Sequence, residues 1–269
     1  MNTLTNKKNE TTQPKIKATD LSVDDLYWID GFNNYRAIFQ YDDIREKADD
    51  LFEKTHDLKL VDKFCEEEYD KRNINPLLMN SEIPKKFRDA SFDKYKPKNQ
   101  SQTKALKIAK DYAKNVNSYI NDGKNLFFVG FGKIGTGKTY LSVCIAKELI
   151  KNEINIKFIS SVDMIFAIKE DFKIKKYIDV PVLILDDMGK ERGTSWVCEQ
   201  LYAILNARYL AQKPTIITTE GSLEDLQENY DEKGRALVSR LKENHILAVV
   251  TGEDYRTQKS TYHDNYNNY

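Results

Sequence analysis

The sequence predicts an α/β fold: a five-stranded parallel sheet covered by helices on both faces, preceded by a small, mainly α-helical domain. Three observations lead there. Five short, continuously apolar runs recur after residue 125, each separated from the next by helix-length sequence. Strands apolar on both faces belong to parallel sheets buried on both sides. A glycine-rich loop stands between the first run and a helical stretch, and the residues before 75 show only helical periodicity among many charges.

Taken in order, residues 1–20 are rich in Asn, Thr and Lys, a composition that predicts a disordered tail. Residues 21–75 form the predicted helical domain. Trp28, Phe32, Tyr35 and Phe39 recur at spacings of four, three and four, which puts them on one helix face, although Gly31 weakens that helix. Ile44–Tyr69 follows as one or two amphipathic helices through Ala48, Leu51, Phe52, Leu58, Val61, Phe64 and Cys65. Pro76, Pro84 and Pro97 punctuate residues 76–100, expected as a linker or an irregular entry into the next domain.

The α/β domain is expected over residues 101–256, opening with a helix across Gln102–Asn121. The predicted strands are Leu126–Val129, Ile156–Ser160, Val182–Asp186, the β-branched Thr215–Thr219, and Ile246–Thr251. The helices between them are Lys138–Lys151, Ser161–Glu170, Ser195–Ala211, Leu223–Gln227 and Arg235–Lys242. Residues 257–269, ending in HDNYNNY, are expected as a second disordered tail.

Composition bounds the function. The chain has 269 residues with 42 basic and 42 acidic side chains, so no global positive charge argues for nucleic-acid binding. The balance is uneven: residues 1–80 carry 12 basic and 17 acidic side chains, a net of −5, and the remainder is net +5. Two parts with different partners, or two solvated surfaces, both fit. Three scattered cysteines, Cys65, Cys144 and Cys198, make neither a zinc site nor a disulfide framework and fit a reducing, cytoplasmic compartment. The polar start has no apolar signal-peptide core, and no apolar run approaches the ~18 residues that span a bilayer, so no membrane partner is expected.

The chemistry is concentrated at two places. Gly132-Lys133-Ile134-Gly135-Thr136-Gly137-Lys138-Thr139 matches G-x-x-x-x-G-K-[ST], in the strand–loop–helix context that this motif requires. Glycines let backbone N–H groups turn inward onto phosphate oxygens, and the helix N-terminus adds its positive end. Lys138 would reach the β- and γ-phosphates, and Thr139 would ligate Mg²⁺. Gly132, Gly135, Thr136, Gly137, Lys138, Thr139 and the following Tyr140 are therefore the candidate nucleotide-binding residues. The second place is VLILDDMGK, 48 positions on, where an apolar strand ends in two carboxylates. Asp186 would hold Mg²⁺ through its water shell, and Asp187 would orient or deprotonate an attacking water. The bland alternative is an Asp-Asp pair that ends a strand and caps a turn.

From about Ile83 to Arg256 the chain resembles the bacterial replicative-helicase loaders of the DnaC/DnaI type, AAA+ ATPases to which the transposition helper IstB is related. The stretches that carry the resemblance are IPKKFRDASFDKY, GKIGTGKTYLSVCIAKELI, VLILDDMGKE, SWVCEQLYAILNARY, PTIITT, SRL at Ser239–Leu241, and TGEDYR. It implies an AAA+ core without a C-terminal helical lid, ATP and Mg²⁺ as cofactors, and further roles for two arginines. Arg240 in SRL matches the arginine finger that contacts the γ-phosphate bound to a neighbouring subunit; Arg256 in DYR matches the sensor-2 arginine acting in cis. Either could equally be a surface ion pair.

Two departures stand out. The family reads T-S-N or T-T-N after the fourth strand, whereas this chain reads Thr218-Thr219-Glu220. An ionised carboxylate cannot donate a hydrogen bond to phosphate, so Thr218 or Thr219 takes over or hydrolysis is slow. The cysteines cannot build the zinc-bearing N-terminal domain of DnaI-type loaders, so residues 21–75 would grip a helicase differently, as in a phage-encoded loader. The leading expectation is an ATP-dependent loader that binds a DnaB-type hexameric helicase and single-stranded DNA, and that self-associates through its AAA+ domain when ATP is bound. Lys169, Lys173, Lys175 and Lys176 are candidates for DNA contact or simply a solvated face, and the aromatic stripe for helicase docking or local core. An IstB-like transposition helper, a nucleotide-binding interaction module with little hydrolysis, and a small-molecule kinase are the alternatives.

Overall fold

The structure, a computed structural model, describes residues 41–131, 133–171 and 173–255. The tails expected at 1–20 and 257–269 and the stripe Trp28, Phe32, Tyr35 and Phe39 lie outside the described residues. The chain divides into two compact units, one ending at Asn73 and the other beginning at Ile74.

In the first unit, Ile44–Tyr69 resolves into two helices, α1 (Asp42–Thr55) and α2 (Leu58–Tyr69). His56 breaks them apart with a left-handed backbone at φ 49°, and the Asp57 carboxylate caps α2 by accepting from the amides of Lys59 and Leu60. The amphipathic faces close on Ile44, Ala48, Phe52, Val61 and Cys65. The guanidinium of Arg72 bonds both carboxylate oxygens of Asp43 and holds its pKa down at about 2.

The second unit holds the sheet. Its strands are β1 (Asn125–Val129), β2 (Ile156–Ser160), β3 (Val182–Asp186), β4 (Thr215–Thr219) and β5 (His245–Val249). All pair in parallel, in the order β2-β3-β4-β1-β5. The period-two geometry of the strands sorts their side chains cleanly. Phe158, Ile184, Ile216 and Leu126 lie in register across β2, β3, β4 and β1 and face one core; Ile159, Leu185, Ile217 and Phe127, one step on, face the other. The first core is covered by α4 (Gln100–Lys114), α5 (Val116–Asn121) and α6 (Lys138–Lys151). The second lies under α7 (Ser161–Asp171), α8 (Lys175–Asp179), α9 (Ser195–Leu210), α10 (Leu223–Glu228) and α11 (Glu232–Glu243).

Four local features differ from the sequence reading. The helix expected over Gln102–Asn121 is two helices, broken at Asn115. The last strand runs over His245–Val249 rather than Ile246–Thr251, and Asn125 pins its start. Its amide donates to Leu241 O at 3.1 Å and accepts from Thr215 N at 2.8 Å, and its own backbone N–H donates to Asn244 O. Residues 76–100, read as a linker or an irregular entry into the next domain, belong to the second unit and pack on its core. A short α3 (Asn75–Asn80) carries Pro76 in its first turn, and Ile83, Ala90 and Tyr95 enter the first core. Lys147 of α6 clamps that stretch by donating to Arg88 O at 2.6 Å and Ala90 O at 2.9 Å. Finally, α8 had no signal beyond its lysines. None of the described helices is long and apolar enough to cross a membrane.

Candidate nucleotide site

All the candidate chemistry of the second unit that falls on described residues gathers at the C-terminal ends of the parallel strands, except Arg240 and the lysines near α8. That edge is where an open α/β sheet presents its crevice. β1 runs out at Val129 into the glycine loop, and α6 begins directly after Gly137. Gly135 (φ 64°) and Gly137 (φ 103°) adopt backbone that only glycine enters readily. A Cβ on Gly137 would stand 2.8 Å from the Tyr95 ring, and one on Gly135 would stand 1.7 Å from a carboxylate oxygen of Asp254. Between them, the Thr136 hydroxyl is buried with no hydrogen-bond partner among the described residues. Lys138 is 5% exposed and donates from Nζ to Lys133 O at 3.0 Å. Burial pulls its pKa down, against the opposing fields of Glu220, Asp187 and Asp186. Gly132 lies outside the described residues. A loop whose glycines admit no side chain, with a buried ammonium and an orphaned hydroxyl, fits a phosphate chain.

β3 delivers the carboxylates. Asp186 is 8% exposed, and burial raises its pKa, opposed first by the hydrogen bond from Thr218. Its Oδ1 accepts from Thr139 Oγ1 at 2.9 Å and from Thr218 Oγ1 at 2.7 Å. Thr139 and Asp186 thus form a compact set of hard oxygen donors suited to Mg²⁺. The chain then turns at Asp187, which is left-handed at φ 56°. Its amide donates to Thr218 Oγ1 at 2.8 Å, and its carbonyl accepts from Ser161 Oγ at 2.9 Å. These bonds aim the Asp187 side chain into the same cleft, of about 230 Å³, that Lys138, Thr139 and Glu220 line.

Thr218, considered above as a stand-in phosphate donor, is committed elsewhere: its hydroxyl donates to Asp186 and accepts from Asp187 N. Thr219 is buried at the end of β4. The residue of the fourth strand's exit that reaches the cleft is Glu220, and it is paired with Lys190 at 2.7 Å.

Several participants were not assigned a role from sequence. Phe87 and Tyr95 meet Tyr140 at centroid distances of 6.5 and 5.8 Å, and Tyr255 approaches Tyr95 at 6.3 Å, making an aromatic wall at the mouth. Tyr140 itself bonds the Ser91 backbone. The Tyr255 amide donates to Gly135 O at 3.0 Å, and its hydroxyl donates to Gln102 Oε1 at 2.8 Å, so the chain's last described residues lie against the glycine loop. IPKKFRDASFDKY and TGEDYR contained these residues, but no spacing rule joins segments some 150 positions apart.

Other candidates lie apart. Arg240 on α11 donates to the Tyr202 hydroxyl and to Asn206 Oδ1 on α9, the latter at 2.7 Å, and its guanidinium stacks on the Tyr202 ring. It lines a different hollow, with Tyr209, Gln212 and Asn244. Arg256 lies outside the described residues. Lys169 sits over the Trp196 ring and Lys176 over the Tyr177 ring, while Lys173 and Lys175 make exposed ion pairs with Asp171 and Asp179.

The sheet order, the loop and the carboxylate strand define a P-loop nucleotide-binding protein of the AAA+ type. The chain belongs to the family of IstB-like ATP binding proteins, whose match runs over residues 41–262. It is similar to the phage-like element PBSX protein XkdC of Bacillus subtilis (strain 168), with 30% identity over 68% of this chain and 73% of that protein. It is also similar to the replicative helicase loader DnaC of Escherichia coli (strain K12), with 24% identity over 71% of this chain and 75% of that protein. Among solved structures, the crystal structure of the DnaC helicase loader is 36% identical, with a TM-score of 0.55, covering 62% of this chain and 99% of that one. Family membership makes this an ATP-binding protein of a class of ATPases.

Proposed function

We propose that the chain is an ATP-dependent loader of a replicative ring helicase, using ATP binding and hydrolysis as a switch between holding and releasing. The observation that carries this reading is the 36% identity to the DnaC helicase loader over 99% of that structure. The site fits it. Lys138 and the inward-facing loop would hold the β- and γ-phosphates. Thr139 and Asp186 would hold one Mg²⁺ ion, which would neutralise phosphate charge when bound. Asp187, fixed by Thr218 and Ser161, would orient the attacking water.

Arg240 stands outside its own subunit's cleft, on the α9–α11 surface, which suits a guanidinium supplied in trans to a second copy's γ-phosphate. Hydrolysis would then depend on self-association with ATP bound. Arg256 would act in cis. Residues 21–75 would grip the helicase and could include the aromatic stripe. Single-stranded DNA would be held along α7 and α8, where Phe166 of α7 is 59% exposed, three positions before Lys169; an exposed aromatic ring on a lysine-bearing helix suits stacking and phosphate contact. A cytoplasmic location goes with this role. The family's description favours a second reading, a transposition helper of IstB type.

The test is a pull-down and sizing experiment with the host's replicative helicase, with and without ATP, using wild type and Arg240→Ala. The loader reading expects a complex that requires residues 1–75 and that Arg240→Ala fails to release after ATP addition, while still binding ATP. Absence of a complex under every nucleotide condition overturns it and leaves the transposition helper.

A further inference from the structure

The residue after β4 should present a hydrogen-bond donor to the terminal phosphate, yet this chain places Glu220 there, an acceptor that repels an anion. The structure supplies a cation at that spot. Lys190 Nζ lies 2.7 Å from Glu220 Oε1 and 2.9 Å from Asp187 Oδ2, between the two carboxylates that line the phosphate cleft. We propose that Lys190, presented by Glu220, is the γ-phosphate-sensing residue of this ATPase, in place of the missing amide. This rests on the reading of the cleft as the ATP site.

The backbone under Lys190 is anchored from several sides. Met188 N donates to Thr218 O at 2.8 Å, and Lys190 N closes the turn onto Asp187 O at 3.2 Å. Gly189 N donates to the buried Glu191 carboxylate at 3.1 Å, and Glu191 in turn accepts from the Tyr230 hydroxyl. The Lys190 Cα therefore has a set position, and only its four-carbon stem moves. The side chain is 41% exposed, so it retains that freedom.

The ammonium carries three donors. Two are engaged by Asp187 and Glu220, which leaves one for an anion between them. Burial works against the Lys190 charge, but the hydrogen bonds to Glu220 and Asp187 outweigh it and raise its pKa, so the donor stays charged. Glu220 and Lys190 together are neutral, which removes the repulsion a lone glutamate would exert on phosphate. The same ammonium contacts Asp187, so a γ-phosphate that draws Lys190 inward also loosens its grip on the water-orienting carboxylate. ADP, which has no γ-phosphate, leaves the bridge closed.

The test measures ATP and ADP affinity and single-turnover hydrolysis on the full chain, for wild type, Lys190→Ala, Glu220→Ala and the double variant Lys190→Ala/Glu220→Asn. Loss of one charge-assisted hydrogen bond predicts that Lys190→Ala weakens ATP binding about tenfold or more and leaves ADP binding within about twofold. Glu220→Ala should give a smaller loss, because Asp187 still holds the ammonium. The double variant should regain ATP-over-ADP discrimination, because an amide can donate directly. Unaltered ADP affinity and circular dichroism serve as the folding control. Equal losses for both nucleotides, no change for either, or faster hydrolysis with unchanged discrimination each overturn the sensing role; the last would make Lys190 a restraint on Asp187. Wild type that binds neither nucleotide would overturn the ATP-site reading beneath it. Helicase is absent throughout, so the loader reading stands or falls separately.

Discussion

Arg208 is the largest fully buried side chain among the described residues, and no carboxylate faces it. Its guanidinium donates instead to Thr215 Oγ1 at 3.1 Å and to backbone carbonyls of Tyr177 (2.9 Å), Val180 (2.7 Å) and Pro214 (2.5 Å). Those carbonyls belong to the end of α8 and to the entries of β3 and β4. One planar fork thus ties together the chain segments that lead into the two strands carrying Asp186 and Thr218. Burial lowers its pKa to about 9, the cost of holding a cation away from water. Arg208→Met should destabilise the second unit by about 3–5 kcal/mol, because several buried carbonyls lose their only charged donor. Urea unfolding followed by tryptophan fluorescence measures this; a loss under about 1 kcal/mol would mean that water satisfies those carbonyls equally well. In the sequence Arg208 is one more polar residue of a helix, and nothing in its spacing distinguishes it.

The pair α1–α2 shows the other extreme among elements. Its core is five residues, and the ends are held by the exposed Arg72–Asp43 pair, which adds little on its own. Phe52 supplies the largest side chain of that core and stacks edge-on against His56. Phe52→Ala should cost about 3–5 kcal/mol, which a core this small cannot absorb. The expected result is loss of the two helices by hydrogen exchange, with nucleotide affinity unchanged, since every described residue of the phosphate cleft lies in the second unit. A parallel drop in ATP affinity would show that the small unit supports the site. The periodicity of these helices was plain in the sequence. The break between them was not, because it depends on His56 adopting a left-handed backbone that its residue type does not demand.

Across the whole molecule, each of the three cores holds one thiol: Cys65 in the α1–α2 pair, Cys144 under one sheet face and Cys198 under the other. Burial pushes the first two up to about 12 and raises Cys198 as well, so none is a thiolate near neutral pH. Pulsed alkylation therefore reads the opening of each core separately. ATP at about 100 times its dissociation constant stabilises the bound fold by about 2.7 kcal/mol. Labelling of Cys144 and Cys198 should slow accordingly, by about 100-fold, while Cys65 labels at its former rate. Chelation of divalent cations should reverse most of the protection if Thr139 and Asp186 hold Mg²⁺. Equal protection of Cys65 would mean that the two units open together.

Much of this protein is local in its physics and so could be read from one dimension. Strand edges at Ile156–Ser160, Val182–Asp186 and Thr215–Thr219 follow from short apolar and β-branched runs, and the glycine loop follows from backbone that only glycine enters easily. What only the tertiary structure decided is who meets whom. The order β2-β3-β4-β1-β5 sets Thr218 beside Asp186, which diverts that hydroxyl from phosphate to carboxylate. The turn after β3 brings Lys190 to Glu220, thirty positions away, and so gives a departure from the family pattern a chemical partner. Phe87 and Tyr255 reach one cleft from opposite ends of the second unit. Sequence spacing encodes the periods of helix and strand, but hydrogen bonds and charges act through space at a few ångströms, and that proximity is created only when the sheet closes on its two cores.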